Sequence, residues 1–387
     1  MMESTKGKVY YVCFYAEKET ADRIISYPSV WSKIDYVASV IKECGYDVEL
    51  VSEAASVKGL FRGYKKQIDE QEWVKYFTSR HYNNNLLNKL STFSQWCKVL
   101  VYLLLHVKRE DKLLVYHSIY NLKWLSVYHD LFGKKFSIEI EDVFSALNNR
   151  AKHFEKQEWD LFAKASTCIC VNDLIAQKLD QKQPKIISYG SYLLPEYHKT
   201  PREKTIRLVY AGVIEQERNA AFLAVQSMRY LPENYELNIL GFGNDRDIHA
   251  LKECIKETGR NIKYWGRMEG LAYYSFLQNC DIGLSTHMYD PGNMASADNT
   301  FPSKVLVYLS NGLCVVAQRL ACLEQSSVSN AICYYDEPKP QKVAEAISSV
   351  DLSVDSREKI RELAIAFQRD IQKWLDGKGS TKRQFGK

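Results

Sequence analysis

The chain has 387 residues, 46% hydrophobic and 26% charged, with a net charge of +5. That length exceeds one ordinary core and predicts two domains, and the slight charge argues against a dedicated nucleic-acid binder. The ten cysteines contain no CxxC pair, which argues against a zinc site or disulfide framework and for reduced structural thiols.

Taken in chain order, Val9 to Tyr15 reads as a strand. No cleavage-site pattern follows it, so no signal peptide is expected and a cytoplasmic protein is. Val30, Ile34, Val37 and Ile41 fall on one helical face, and Gly45 ends that helix. Asp47 to Val51 is the next strand. Between Arg62 and Arg109 the chain carries nine Lys and Arg interleaved with Trp73, Tyr76, Phe77, Phe93, Trp96 and Tyr102. This stretch reads as ordinary amphipathic helices with solvated lysines or as a face that meets an anionic membrane, with RNA binding a weaker third reading because no RNA-binding motif accompanies the charge. Its longest apolar run, Val99 to Leu105, is far short of the roughly 20 residues of a membrane span.

Strands are expected at Leu113 to Tyr116, Lys135 to Ile140, Thr167 to Val171 and Lys185 to Ser188, with helices between. Such alternation predicts a parallel sheet covered on both faces. The polar segment Pro195 to Lys204 reads as the interdomain linker. A second series follows: strands at Ile206 to Ala211, Leu237 to Leu240, Ile262 to Trp265 and Ile282 to Ser285, helices at 220–230, 247–258 and 273–280, and a long loop to Phe301. One more helix buries Ile360, Leu363, Phe367, Ile371 and Trp374. The expected organisation is therefore residues 1–195, residues 205–354, a helix at 355–376 returning to the first domain, and a basic tail at 377–387.

The stretch Asn299 to Ala317 is the most informative. It reads as a polar loop, a helix opening at Pro302-Ser303-Lys304, a stop at Gly312, and a buried Leu313 to Ala317 strand. Ser303 and Lys304 then sit at a helix N-terminus, a natural anion site. Gly212, Gly241, Gly243 and Gly266 mark three strand ends in the same half, where open α/β sheets bind ligands. Gly241-Phe242-Gly243 departs from a dinucleotide fingerprint because Arg246 stands where its third glycine belongs.

The pattern of an aromatic, Pro, a small polar residue, Lys, an apolar helix ending in Tyr-Leu, and Gly before a Val-Val strand resembles the nucleotide-sugar-binding helix of GT-B glycosyltransferases, especially family 4. Tyr210-Ala211-Gly212 with Arg218-Asn219 resembles the first motif of the same domain, and Tyr264-Trp265-Gly266 the strand end near the nucleotide base. The resemblance implies an α/β GT-B fold of two Rossmann-like domains facing across a cleft. It implies transfer of a sugar, with retention, from a nucleotide diphosphate sugar to a saccharide or lipid-linked acceptor in polysaccharide or glycoconjugate synthesis. Donor contacts are expected from Gly212, Arg218, Gly241, Gly243, Trp265, Gly266, Asp298, Asn299, Ser303 and Lys304. No metal or other cofactor is expected.

Where the family often carries two glutamates, this chain has Asn299 and Val307, and valine cannot accept a bond from ribose. That departure leaves open a non-catalytic partner subunit of a glycosyltransferase, or a nucleotide-sugar epimerase of similar fold. On the acceptor side, His117 at a strand end and Glu139, Glu141 and Asp142 are the catalytic candidates, since the strand alternation puts Glu139 and Glu141 on one face.

Overall fold

A computed structural model of the chain describes residues 5–17, 20, 23–25, 28–57, 63–80, 82–147, 151–198, 204–217, 220–287 and 297–378. Arg218, much of the loop before Phe301, and the tail beyond residue 378 lie outside the described residues. The chain forms two compact units, Met1–Ser191 with Ala366–Lys387, and Tyr192–Ile365.

The first unit holds an eight-stranded sheet. Its strands are β1 (Lys8–Cys13), β2 (Asp47–Ser52), β3 (Lys65–Gln67), β4 (Glu72–Tyr76), β5 (Lys112–Tyr116), β6 (Ser137–Ile140), β7 (Cys168–Cys170) and β8 (Lys185–Ile187), in the order β3-β4-β2-β1-β5-β6-β7-β8. All pairs are parallel except β3 with β4. Val9 to Cys13 are all buried, as expected of a central strand covered on both faces. Ile34, Val37 and Ile41 of helix Pro28–Glu43 are buried as the apolar spacing requires. Gly45 closes that helix at φ +86°.

The stretch expected to be helical before residue 85 is instead β3 and β4 at the sheet edge. The residues Glu72, Val74 and Tyr76 are buried and alternate with half-buried Trp73 and Lys75, a period-two pattern. Its lysines are largely neutralised. Lys65 pairs with Glu49 at 2.7 Å, Lys66 with Glu17 at 2.7 Å, and Lys8 covers the Trp73 ring at 4.8 Å. Helix Asn85–His106 follows, capped by the Asn84 side chain on the Leu86 and Leu87 amides.

The second unit holds β9 (Ile206–Val213), β10 (Tyr235–Phe242), β11 (Ile262–Gly266), β12 (Ile282–Ser285), β13 (Cys314–Gln318) and β14 (Ile332–Tyr335), in the order β11-β10-β9-β12-β13-β14. Every pair is parallel, giving the doubly wound order in which the direction of winding reverses between β9 and β12. Helix Pro340–Ser348 packs on this sheet through Val343, Ala344 and Ile347.

The segment read as a linker is partly fastened to the second unit. Gln278 bonds the Glu196 carbonyl and the His198 amide, and Arg357 bonds the Pro195 carbonyl. Helix Ser356–Leu375 crosses the unit boundary, and its Ile360, Leu363, Phe367, Ile371 and Trp374 are all buried. Within the first unit, Phe367 stacks on Tyr36 and the Trp374 indole donates to Ser137 Oγ. None of the ten cysteines is in a disulfide, and Cys97 is the exposed one. Among the described residues no helix is long and apolar enough to cross a membrane.

Candidate functional site

In the second unit the strand order reverses where the carboxyl ends of β9 and β12 lie side by side. Helix Lys304–Ser310 is anchored there by Tyr308. A Cβ added to Gly283 in β12 would stand 2.3 Å from the Tyr308 ring, so only glycine admits it. The Tyr308 hydroxyl accepts the Ala211 amide of β9 at 2.8 Å. Gly312 ends the helix at φ +79°, against Tyr197.

This anchoring fixes Lys304. Its Nζ lies 4.5 Å from the Tyr210 ring centre and would meet a Cβ on Gly212 at 3.1 Å. Gly212 therefore makes room for an ammonium at the end of β9. Tyr210 is held in turn by donating to the Val213 carbonyl at 3.0 Å. The helix is short, at seven residues, and Ser303 caps it without a side-chain bond. The cation of this edge is thus the Lys304 ammonium rather than a long helix dipole.

Gly241 and Gly243 are explained without a ligand. A Cβ on Gly241 would fall 1.9 Å from the Gly212 carbonyl, and one on Gly243 2.3 Å from the Ile214 carbonyl. Gly266, at φ +75°, faces open space. Beside it Trp265 is half exposed, its indole N–H bonded to Asn238 at 2.8 Å. Exposed Phe242 carries the Arg267 guanidinium at 5.0 Å. Asn299 is buried and Asp298 half-buried. Val307 is half-buried and presents no acceptor side chain. Phe242 and Arg267, adjoining the glycine-marked strand ends, were not singled out in the sequence. An aromatic at the last position of β10 and an arginine just after β11 were the available signal.

In the first unit the carboxyl end of β6 is organised by Lys33, which sequence reading missed. Its buried ammonium donates to the Ser188 carbonyl at 3.1 Å, Ser188 Oγ at 2.6 Å and the Gly190 carbonyl at 3.3 Å. It lies 3.1 Å from Glu141 and 3.7 Å from Glu139. Glu139 is fully buried and accepts a hydrogen bond from the Tyr11 hydroxyl. Burial lifts the Glu139 carboxyl to about 7 against the pull of Lys33, with Glu141 adding to the rise. The expected shared face for Glu139 and Glu141 is thus present, but only Glu141 keeps some exposure. Asp142 follows it, half-buried.

His117 does end β5, but it is buried and has no surface to offer an acceptor in this structure. Its Nε2 lies 2.6 Å from Glu158, which also takes the Phe144 and Ser145 amides at 2.9 and 3.0 Å. Burial lowers the His117 pKa, with Glu158 pulling the other way. Burial works to raise the Glu158 pKa, but the bonds from His117 and Ser145 outweigh it and bring it down. A neutral imidazole donating from Nε2 to a carboxylate fits both directions. The expectation of an acceptor-facing histidine is corrected accordingly: the pair ties β5 to the helices Phe144–Leu147 and Glu155–Lys164. Glu53, just past β2, was also missed. Both its oxygens are buried without a hydrogen-bond partner, and burial pushes its carboxyl up to about 8.

No family model matches the chain, and no curated protein matches it in sequence. Solved structures do match. An α,α-trehalose-phosphate synthase (UDP-forming) from Burkholderia xenovorans, in complex with glucose-6-phosphate, is 10% identical, with 96% of this chain and 98% of that one covered and a TM-score of 0.59. A glycosyltransferase from Rickettsia africae is 12% identical over 96% and 98% of the two chains, with a TM-score of 0.60. WaaG, a glycosyltransferase involved in lipopolysaccharide biosynthesis, is 12% identical over 97% and 96%, with a TM-score of 0.53. Likeness that spans both units of the chain, with two Rossmann-like sheets that are parallel but for β3, gives it the GT-B fold.

Proposed function

We propose that this chain is a glycosyltransferase that moves a sugar from a nucleotide diphosphate sugar to a saccharide acceptor. The observation that carries the reading is the Lys304 ammonium, held over Gly212 where the strand order of the second unit reverses. As the glycosidic bond to the donor breaks, negative charge grows on the leaving diphosphate. A fixed, half-buried ammonium stabilises that charge without a metal. Asp298, Asn299 and Ser303 adjoin it in sequence, and Trp265 offers a half-exposed ring for the base. Arg218 remains a donor contact in this proposal on its sequence position alone. Glu141 and Asp142 are the acceptor-side groups with exposure, with Glu139 and Lys33 setting the charge behind Glu141. Retention of configuration is part of the same proposal, on the family resemblance.

The acceptor we propose is lipid-linked, met by a cytoplasmic protein at the inner membrane face during polysaccharide or glycoconjugate synthesis. On helix Asn85–His106, Leu86, Leu90, Phe93, Val101 and Leu105 recur at helical spacing and are all exposed, with Lys89, Lys98, Lys108 and Arg109 nearby in sequence. An apolar stripe flanked by cations suits an anionic interface.

Calorimetry with a panel of nucleoside diphosphates tests the donor site. Lys304→Ala should weaken binding about tenfold at unchanged melting temperature, as loss of one charge-assisted contact does. Unchanged affinity overturns the assignment. One observation favours a second reading, a non-catalytic partner subunit: half-buried Val307 offers ribose no acceptor. Nucleotide binding without turnover of any donor would select it.

A further inference from the structure

The first unit contains a cavity of about 800 Å³ at the amino edge of its sheet, opposite the carboxyl edge that holds Glu139 and Glu141. The starts of β5 and β6 and the residues just before β7 and β8 form its wall, through Lys112, Ser137, Thr167 and Pro184. Its volume falls in the range of ordinary ligand sites.

The lining is strongly basic. Lys108, Arg109, Lys112, Lys134, Lys135 and Lys378 surround it, against the single carboxylate of Asp111. That carboxylate is engaged by two backbone amides, those of Lys108 at 3.0 Å and Lys8 at 3.3 Å. Lys378 lies 3.8 Å from Asp376. None of the other five cations forms an ion pair among the described residues. Elsewhere in the same unit Lys42, Lys65 and Lys66 are each paired with carboxylates. A recess lined by one sign of charge focuses its field on whatever enters.

Two further features point to an occupant. Tyr128 stands in the cavity wall, and its buried hydroxyl, behind that wall, has no hydrogen-bond partner. A buried donor left unmade is costly, and a ligand oxygen would satisfy it. Phe136 and Trp374, both buried, stand in the same wall.

We propose that this pocket binds a phosphate-bearing ligand carrying more than one negative charge, at a site separate from sugar transfer. The ligand source is either a lipid phosphate headgroup or a soluble phosphate compound. Neither source requires the glycosyltransferase reading to hold.

The full chain is titrated with inorganic tripolyphosphate by calorimetry. It is also floated with phosphatidylcholine vesicles with and without phosphatidic acid. The Lys112→Gln/Lys134→Gln double variant should weaken tripolyphosphate binding by roughly a hundredfold, two charge-assisted contacts being lost. Tyr128→Phe, which keeps volume and charge, should weaken it severalfold. Lys152→Gln/Lys156→Gln, which removes two exposed cations elsewhere, should change nothing. Tripolyphosphate binding that depends on the pocket, with vesicle binding equal in all variants, identifies a soluble ligand. Phosphatidic-acid-dependent flotation lost only in the pocket variants identifies a headgroup. Binding undiminished in a folded double variant overturns the proposal. So does the absence of both tripolyphosphate binding and pocket-dependent flotation. Nucleoside diphosphate affinity should be unchanged in the pocket variants, so failure here and failure of the donor site are separate results.

Discussion

The two units end their sheets in opposite ways at the carboxyl edge. The first fills that edge with buried, mutually bonded polar groups: Lys33 with Glu139, Glu141 and Ser188, and His117 with Glu158. The second leaves half-exposed Trp265, exposed Phe242 and one half-buried cation, Lys304, over a glycine. Removing one member of the first unit's cluster leaves its partners buried without their counter-charge, so the edge resists change. An edge that carries exposed rings beside close-packed glycines leaves room for a ligand. The same layered architecture thus supports a rigid edge in one unit and an accessible one in the other.

The contrast is broken most directly at Lys33. Lys33→Met keeps the stem but strips the cation from two neighbouring carboxylates, one of them fully buried. Removing one partner of a buried ion pair costs about 3–5 kcal/mol. Thermal or denaturant unfolding should show a loss of that size. A loss below about 1 kcal/mol would mean that the Glu139 site is neutral or wet and the edge is not a closed network.

Glu53 gives the next largest effect. Its folded carboxyl sits at about 8 because it is buried, well above the ordinary carboxylate range. A pKa raised by folding contributes stability below the unfolded value that is lost as pH rises through the folded one. Unfolding free energy should therefore fall between about pH 4.5 and 8, with Glu139, lifted to about 7, adding to the slope. Glu53→Gln should remove part of that slope and stabilise the protein at pH 9 by on the order of 3 kcal/mol. An unchanged slope in denaturant titrations across that range would place the charged form of Glu53 in contact with water.

In the second unit the largest effect is steric. Gly241→Ala sets a Cβ against the Gly212 carbonyl, where backbone must move, at a cost of roughly 1–3 kcal/mol. The same shift displaces Gly212 beneath Lys304. Nucleoside diphosphate affinity should fall together with the melting temperature. A destabilised variant of normal affinity would separate the close packing of β9 and β10 from the site.

Much of this contrast was legible in the sequence for the second unit and little of it for the first. Gly212, Lys304 and Gly312 were readable because each depends on local geometry: a strand end, a helix start, a left-handed stop. Lys33 was not, because a lysine beside an apolar stripe reads as solvated, although Val30, Lys33, Ile34 and Val37 share one helical face. Ser188 and Tyr11, its partners around Glu139, come from distant parts of the chain and have no common local signal. β3 and β4 were obscured by lysines and aromatics that fit an amphipathic helix equally well, until the alternation of Glu72, Val74 and Tyr76 is weighed. His117 was placed correctly at the end of its strand. Its burial depends on Glu158, 41 residues away, which no strand pattern reveals.

The smallest expected effect sharpens the comparison where the second edge is most open. Trp265 is half exposed and, among the described residues, is tied by its indole N–H to Asn238 and by an edge contact with Phe276. Trp265→Ala removes a stacking face at little cost to the core, since the strand keeps its backbone pairing with β10. If a nucleotide base rests on that ring, affinity should drop by about 1 kcal/mol, roughly fivefold, while unfolding changes little. Trp265→Phe, which keeps an aromatic face but loses the bond to Asn238, should recover most of the binding. Equal affinity in all three proteins would mean that the base lies elsewhere along the carboxyl edge. Phe242 with its Arg267 cover would then be the next surface to test, because it offers the same kind of exposed ring one strand nearer to Gly212.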